Sequence, residues 1–237
     1  MFTTYLVQPI YNAFIFILGV MPGGDVGLAI ITITLLIRFI FFPMFASAIR
    51  TQMALQVVQP ELADINERYK EDPMERSRRT AELFNRHKIR PFTMLLSTVV
   101  QVAVFIALSY VFFRLGLAKI HTELLYPFVH APSVISEHLF GIVDLTGTRS
   151  VVITVLVVAA QYYAMRLTLA RTAAAASAAM KPAQKQMQEM QRTMMLYFFP
   201  AMMAFVGYTF PAAVGVYVIT TSVVSIAQEL YFKHRPL

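Results

Sequence analysis

The sequence contains no cysteine and no tryptophan, and only 14% of its 237 residues are charged. Without cysteine there is no disulfide framework, no thiolate metal site, no thiol nucleophile and no cysteine on which a lipid could be placed. Without tryptophan, the 11 tyrosines are left to mark a membrane interface. The scarcity of charge, set against 57% hydrophobic residues and a mean hydropathy of +0.60, excludes a soluble globular domain and puts the chain in a bilayer. Enzyme signatures are missing too. No G-x-S-x-G, H-E-x-x-H or G-x-x-x-x-G-K-[ST] pattern occurs, and His87, His121, His130, His138 and His234 fall in loops or the tail without metal-ligand spacing. No cofactor, metal or catalytic residue is expected.

What is present is apolar sequence in lengths that cross a membrane. A helical span needs ~20 residues to cover ~30 Å of hydrocarbon. Five segments qualify: Gly27 to Ser47, Phe92 to Leu115, Ser150 to Leu169, the short Thr193 to Tyr208, and Pro211 to Leu230. Pro211 lacks an amide donor and disfavours helix at Phe210, so the last two form a tight hairpin. Residues Phe2 to Val20 are also apolar, but Gln8, Pro9 and Asn12 interrupt them and Pro22, Gly23, Gly24 and Asp25 follow. They read as an interfacial helix, with a spanning, uncleaved anchor as the alternative, and no Lys or Arg precedes them as it would in a cleavable signal peptide. The expected organisation is an interfacial helix in 1–24, a five-helix membrane core in 25–231 containing a cytoplasmic helical hairpin in 50–90, and a short basic tail in 232–237.

The net charge of +7 suggests loops facing anionic lipid before it suggests nucleic acid, and no specific nucleic-acid site is expected. Position decides orientation. Sixteen of the 20 basic residues lie between the first two spans, between the third and fourth, or after the last. The opposite side holds only Arg114, Lys119 and Arg149, which puts the N-terminus outside and the C-terminus in the cytoplasm.

Between the first two spans, Val58, Leu62, Ile65 and Tyr69 form one helical stripe in a segment running from Met53. Asp72, Pro73 and Glu75 then read as N-cap, first residue and capping-box glutamate of a second helix, with Met74, Ala81 and Phe84 on its apolar side. Pairs at helical spacing, Asp64 with Arg68, Glu75 with Arg79 and Glu82 with Arg86, would solvate the outer faces. This antiparallel hairpin is either a docking site or a charged spacer. Further on, Met180, Met187, Met190, Met194 and Met195 follow an alanine-rich stretch, a stripe better suited to packing than to partner capture.

The twentieth basic residue, Arg38, lies inside the first span with Thr34 one turn earlier on the same face. An arginine at that depth costs ~2.5–3.5 kcal/mol on insertion scales, so it marks function by default. Gln101, Gln161 and the run Thr220 to Ser222 lie at a similar depth, ~14–17 Å from the cytoplasmic ends of their spans. Singly, such groups bond between helices; together with an arginine they point to a hydrated cavity. No Asp or Glu lies within a span interior, which argues against a proton relay.

Three blocks carry a resemblance: GLAIITITLLIRFIFFPM; LQVVQPELADINERYKEDPMERSRRTAELFNRHKIRPF followed by Gln101 in VVQVAVFIALSYVFF; and MMLYFFPAMMAFVGYTFPAAVGVYV. In this order and spacing the chain resembles the membrane protein insertases of the YidC/Oxa1/Alb3 group over essentially its whole length. The resemblance implies an all-α fold: a five-helix core preceded by an interfacial helix and carrying a cytoplasmic hairpin. It also implies nucleotide-free insertion of new proteins into a bacterial-type inner membrane, alone or beside the Sec translocon, through a hydrophilic groove closed on the far side. By motif, Arg38 corresponds to the groove arginine, Thr34 to its neighbour, Gln101 and Gln161 to groove amides, and Tyr217, Thr220 and Ser222 to the groove face of the last span. Nascent membrane proteins and lipid are the implied partners, with the ribosome and the Sec translocon as further ones. The chain departs from the family at Arg90-Pro91-Phe92-Thr93, where Asn-Pro with glycines is usual, and at Val218, where tryptophan usually follows the tyrosine. Its tail is Lys233, His234 and Arg235, so ribosome contact would fall to the cytoplasmic loops. A small polytopic transporter or channel is the alternative, but it should show internal repeats or paired intramembrane ions. A non-inserting assembly chaperone would have the same sequence features.

Overall fold

A computed structural model describes residues 3–116, 120–176, 186, 189, 190 and 192–233. Met180, Met187 and the tail residues His234 and Arg235 lie outside them. The described chain is almost entirely helical. A π-turn, Thr3–Val7, leads into α1, Gln8–Val20; then come α2, Val26–Ile40, and α3, Phe42–Val57. Two short helices follow, α4, Gln59–Arg68, and α5, Pro73–Arg86, before α6, Pro91–Tyr110. A long loop carries a two-stranded antiparallel ribbon, β1, His138–Leu139, with β2, Val143–Asp144. The chain ends with α7, Val151–Ala176; α8, Phe199–Thr209, behind a π-turn at Met194–Phe198; and α9, Ala212–Lys233.

By length and composition four helical segments can cross a membrane, Thr3–Val20, Pro91–Phe113, Val151–Ala170 and Ala212–Phe232, or five when the bent pair α2–α3 counts as one; Met194–Thr209 is shorter. The hairpin expected at Pro211 is present: α8 closes at Thr209, and Phe210 is extended (φ −89°, ψ 157°). The straight first span from Gly27 to Ser47 is not. Helices α2 and α3 meet at Phe41 with a bend of 67°. Pro43, in the first turn of α3, has no amide with which to continue the ladder of α2 and restricts Phe42 before it. Arg38 therefore occupies the last turn of α2 rather than the middle of a continuous rod.

The main core is confined to one end of the bundle. Its fully buried residues come from α1 (Phe14, Leu18), the first half of α2 (Ile30), the last half of α6 (Leu108) and the first halves of α7 and α9 (Val157, Val214). Leu145 from the long loop is fully buried among them. Close approach is set by small residues. A side chain on Gly215 would overlap Ile153 of α7, and Gly24, at φ 64°, would place a Cβ on the Val134 carbonyl.

The α4–α5 hairpin has a separate small core of Val58, Leu83 and Ile89, with Leu62, Ile65 and Phe84 against it. Asp72 caps α5, accepting from the amides of Met74 at 3.1 Å and Glu75 at 3.0 Å. Several details differ from the expected pattern. The helix from Met53 breaks at Val58, because Pro60 starts a new one. Met74 is 86% exposed and packs on nothing; Leu83 and Ile89 take its place. Glu75 pairs with Arg79 as expected (2.9 Å), but Glu82 pairs with Arg78 and Arg79 rather than Arg86, and Asp64–Arg68 is not among the ion pairs of the described residues. In α5 the arginines one turn before Glu82 reach it first.

Candidate functional site

Below the packed end, α2, α3, α6 and α9 surround a small cleft with about 10 Å³ of enclosed space, room for roughly one water molecule. It is lined by Thr34, Ile37 and Arg38 from α2, Phe45 from α3, Val100, Gln101 and Val104 from α6, and Tyr217 and Thr221 from α9. The spacing explains the lining. Thr34 and Arg38 are one turn apart, as are Val100 and Val104, while Tyr217, Thr221 and Ser225 recur every four residues and form one hydroxyl stripe on α9. Arg38 lies ~18 Å along α2 from Asp25, Gln101 ~14 Å from the Tyr110 end of α6, and Thr221 ~14 Å from the start of α9, so three helices bring polar groups to one level.

Each polar group has a defined set of partners. Gln101 Nε2 donates to the Tyr217 hydroxyl at 2.6 Å, tying α6 to α9. Thr34, buried in α2, donates to the Ile30 carbonyl at 2.6 Å. The Thr221 hydroxyl is buried beside Tyr217 without a hydrogen bond of ordinary geometry. Arg38 donates to Ser225 Oγ at 3.3 Å, and its guanidinium stands over the Phe45 ring at 4.6 Å. No ion pair among the described residues involves Arg38.

Physical terms account for a charge in that position. The open carbonyls at the C-terminal turn of α2 favour a cation by ~0.3–2 kcal/mol. A cation over an aromatic face contributes a further ~0.5–2 kcal/mol. Together these are comparable to the ~2.5–3.5 kcal/mol insertion cost. Arg38 is thus held without an ion-pair partner among the described residues.

The sequence-derived site residues separate into groups. Arg38, Thr34, Gln101 and Tyr217 share the pocket. Gln161 and Ser222 do not line it; they pair at 2.6 Å on the seam between α7 and α9. Thr220 donates to the Val216 carbonyl of its own helix at 2.8 Å. Within the run Thr220 to Ser222 it is Thr221 that faces the pocket. Phe45 and Ser225 escaped sequence reasoning, although seven-residue spacing from Arg38 and the hydroxyl stripe on α9 were visible signals.

Residues 17–236 match the family described as "60Kd inner membrane protein". Similar curated proteins include a "Membrane protein insertase YidC" from Streptomyces avermitilis, 27% identical over 96% of this chain and 56% of that protein. Proteins of the same description from Burkholderia vietnamiensis and Pelobacter propionicus are 26% and 28% identical over 98% and 88% of this chain, and 36% and 35% of their own lengths. The chain thus spans between about a third and a little over half of the curated relatives it matches.

Proposed function

Given that the chain belongs to the YidC/Oxa1 family of multi-pass, non-enzymatic membrane protein insertases, we propose that the Arg38 pocket is the place where it receives a client. The observation that carries the reading is a partly buried arginine seated on an aromatic ring with no acidic partner among the described residues, at the level where the packed core ends. A wet pocket halfway along the bundle shortens the low-dielectric path for a client's polar flank and lowers its desolvation cost, while the client's apolar helix slides along the lipid-facing side. Nascent membrane proteins are the proposed clients, delivered by the ribosome or the Sec translocon or inserted without them.

The test is reconstitution in protein-free liposomes with single-spanning clients that differ only in an acidic or neutral leading end. Arg38→Ala should slow the acidic-ended client by about tenfold or more, while Arg38→Lys retains much of the rate because charge matters more than fork geometry. Arg38→Ala protein that folds normally and inserts both clients at the original rate would remove Arg38 from the mechanism.

The proposed topology puts the N-terminus and the loop between α6 and α7 outside, with α1 as an interfacial helix. Support comes from its contacts: Asn12 near one end bonds the loop at Leu124 and Tyr126, and Gly24 just beyond the other bonds it at Ser136. Contacts with one surface loop at both ends are what a helix lying across the bundle would make, although Thr3–Val20 is also long and apolar enough to cross a membrane. Cysteines at Ser136 and Ser77 give the check, since an impermeant reagent should label Ser136→Cys and spare Ser77→Cys in intact cells. The α4–α5 hairpin is proposed as a docking element; deleting 61–86 should impair delivery while leaving protein level unchanged, and full insertion after deletion would make it a spacer.

A further inference from the structure

The ribbon in the long loop has an unusual tip. Leu139 and Val143 pair across it and pack toward the core, while His138 and Asp144, the other pair, are exposed. Between them Phe140 and Gly141 both take left-handed conformations, φ 53° and 72°, and the Ile142 amide closes the turn on the Leu139 carbonyl at 3.0 Å. Glycine is ordinary there; a bulky aromatic is not, and asparagine, aspartate or glycine would fit without strain. The strained Phe140 is nevertheless 65% exposed and Ile142 82% exposed. Neither gains anything from the fold itself.

The tip is rigidly placed. The Phe140 amide donates to Asp25 Oδ2 at 2.8 Å, and the other oxygen of that carboxylate caps α2 by accepting from Leu28 at 2.9 Å. Leu139 rests on Gly27, so close that a Cβ there would overlap it. After the ribbon, the Leu145 and Gly147 carbonyls accept from Ala213 at 3.1 Å and Ala212 at 3.0 Å, the first turn of α9. The tip is therefore pinned level with the first turns of two membrane helices, where hydrocarbon gives way to headgroups. Val134 of the same loop, and Val151 and Val152 at the start of α7, are exposed apolar residues as well.

We infer that Phe140 and Ile142 form a lipid anchor, inserted into the interfacial layer of the leaflet at the Asp25 end of the bundle. An aromatic ring at headgroup depth is favourable where the same ring in water is not. The occupant is lipid because the tip is fixed at the ends of two helices apolar enough to belong to membrane spans, α2 and α9, and Phe140, Gly141 and Ile142 carry no charge. The anchor holds for either orientation of the chain and does not depend on the client reading.

The absence of native tryptophan makes the test direct. Full-length Phe140→Trp and, separately, Ile142→Trp are reconstituted in phosphatidylcholine–phosphatidylglycerol vesicles containing lipids brominated near the glycerol end or near the chain terminus. Met74→Trp, on the exposed side of α5, is the control. Both tip reporters should show blue-shifted emission, lose more of it to shallow than to deep bromines, and resist aqueous iodide. Met74→Trp should do the opposite. Ile142→Trp lies outside the left-handed positions, so it reports even where tryptophan at 140 disturbs the turn. Tip reporters quenched by iodide and not by bromine would mean a solvated loop. Quenching by neither would mean cover by a second copy or a partner protein. Either result overturns the anchor.

Discussion

The two ends of the bundle are built to opposite rules. At the Asp25 end, apolar packing is continuous and buried polar groups are matched over long sequence distances: Asn12 to Leu124 and Tyr126, Tyr11 to His121, Asp25 to Phe140. At the Arg38 end the polar groups are held more sparingly: Arg38 reaches Ser225 at 3.3 Å, and the buried Thr221 hydroxyl has no hydrogen bond of ordinary geometry. Buried polar groups are costly when unmatched, so the first arrangement is the more fully satisfied and the second leaves bonding capacity unused. On the client-receiving role proposed for Arg38, the matched end is the closed side of the bundle and the Arg38 end the receptive one.

The sharpest way to break this contrast is to spoil the packed end. Gly24→Ala should be the most damaging single change, because its Cβ would meet the Val134 carbonyl at a left-handed backbone position that cannot relax without moving the loop. A loss of ~3 kcal/mol is expected, read as a lowered unfolding midpoint in detergent. An unchanged midpoint would mean that the loop is not seated on the bundle.

Asn12→Ala comes next. Its amide donates to the Gln8 and Leu124 carbonyls, both at 2.8 Å, and its oxygen accepts from the Tyr126 amide at 2.6 Å. Gln8 still reaches Leu124 at 3.1 Å, so the main loss is one buried amide without a partner, ~2 kcal/mol. In the same assay Ser225→Ala at the receptive end should cost well under half as much, since Ser225 accepts only a long bond from Arg38 at 3.3 Å and otherwise donates back to the Thr221 carbonyl of its own helix at 2.9 Å. Equal costs would erase the distinction between the two ends.

The sequence made one end more legible than the other. Helix number, the hairpin at Pro211 and the cap at Asp72 follow from local rules, because proline chemistry and helical period act within a few residues. The level shared by Arg38, Gln101 and the run Thr220 to Ser222 was also readable, since depth along a helix is a count of residues. The rotation of each helix was not. Gln161 and Ser222 lie at the right height but turn toward each other across α7 and α9, and which face of α7 meets α9 depends on contacts such as Gly215 on Ile153 that no local pattern announces. The bend at Phe41 had a signal in Pro43, yet only three-dimensional packing decides whether such a proline kinks a helix or ends it.

A smaller effect tests the receptive end itself. Phe45 acts through Arg38, and Phe45→Leu should weaken the seating of the guanidinium by ~1 kcal/mol, a factor of about five, with little change in the unfolding midpoint. Insertion of acidic-ended clients should change while that of neutral-ended clients holds, and Phe45→Tyr should restore the original pattern. A variant that alters both clients equally, or that merely lowers folded protein, would make Phe45 a packing residue.

The smallest expected effect is a pH dependence at the packed end. The Asp144 carboxylate accepts from the Thr146 hydroxyl at 2.7 Å, the Thr146 amide at 2.8 Å and the Gly147 amide at 3.4 Å, and these bonds, the hydroxyl first, hold its pKa below the ordinary 3.8. A carboxyl whose folded pKa is depressed contributes stability that is fully present above its unfolded value and is lost as pH falls through the folded one. The loss should therefore begin below about pH 4 and be modest, since the group is exposed and screened by solvent. Asp144→Asn keeps an acceptor in the turn but cannot titrate. The difference between wild-type and variant midpoints should be constant at neutral pH and shrink only in the acid range. A difference that stays constant down to about pH 3 would mean that the turn is held by shape rather than by the ionised carboxylate, and this part of the packed end would then be indifferent to acid.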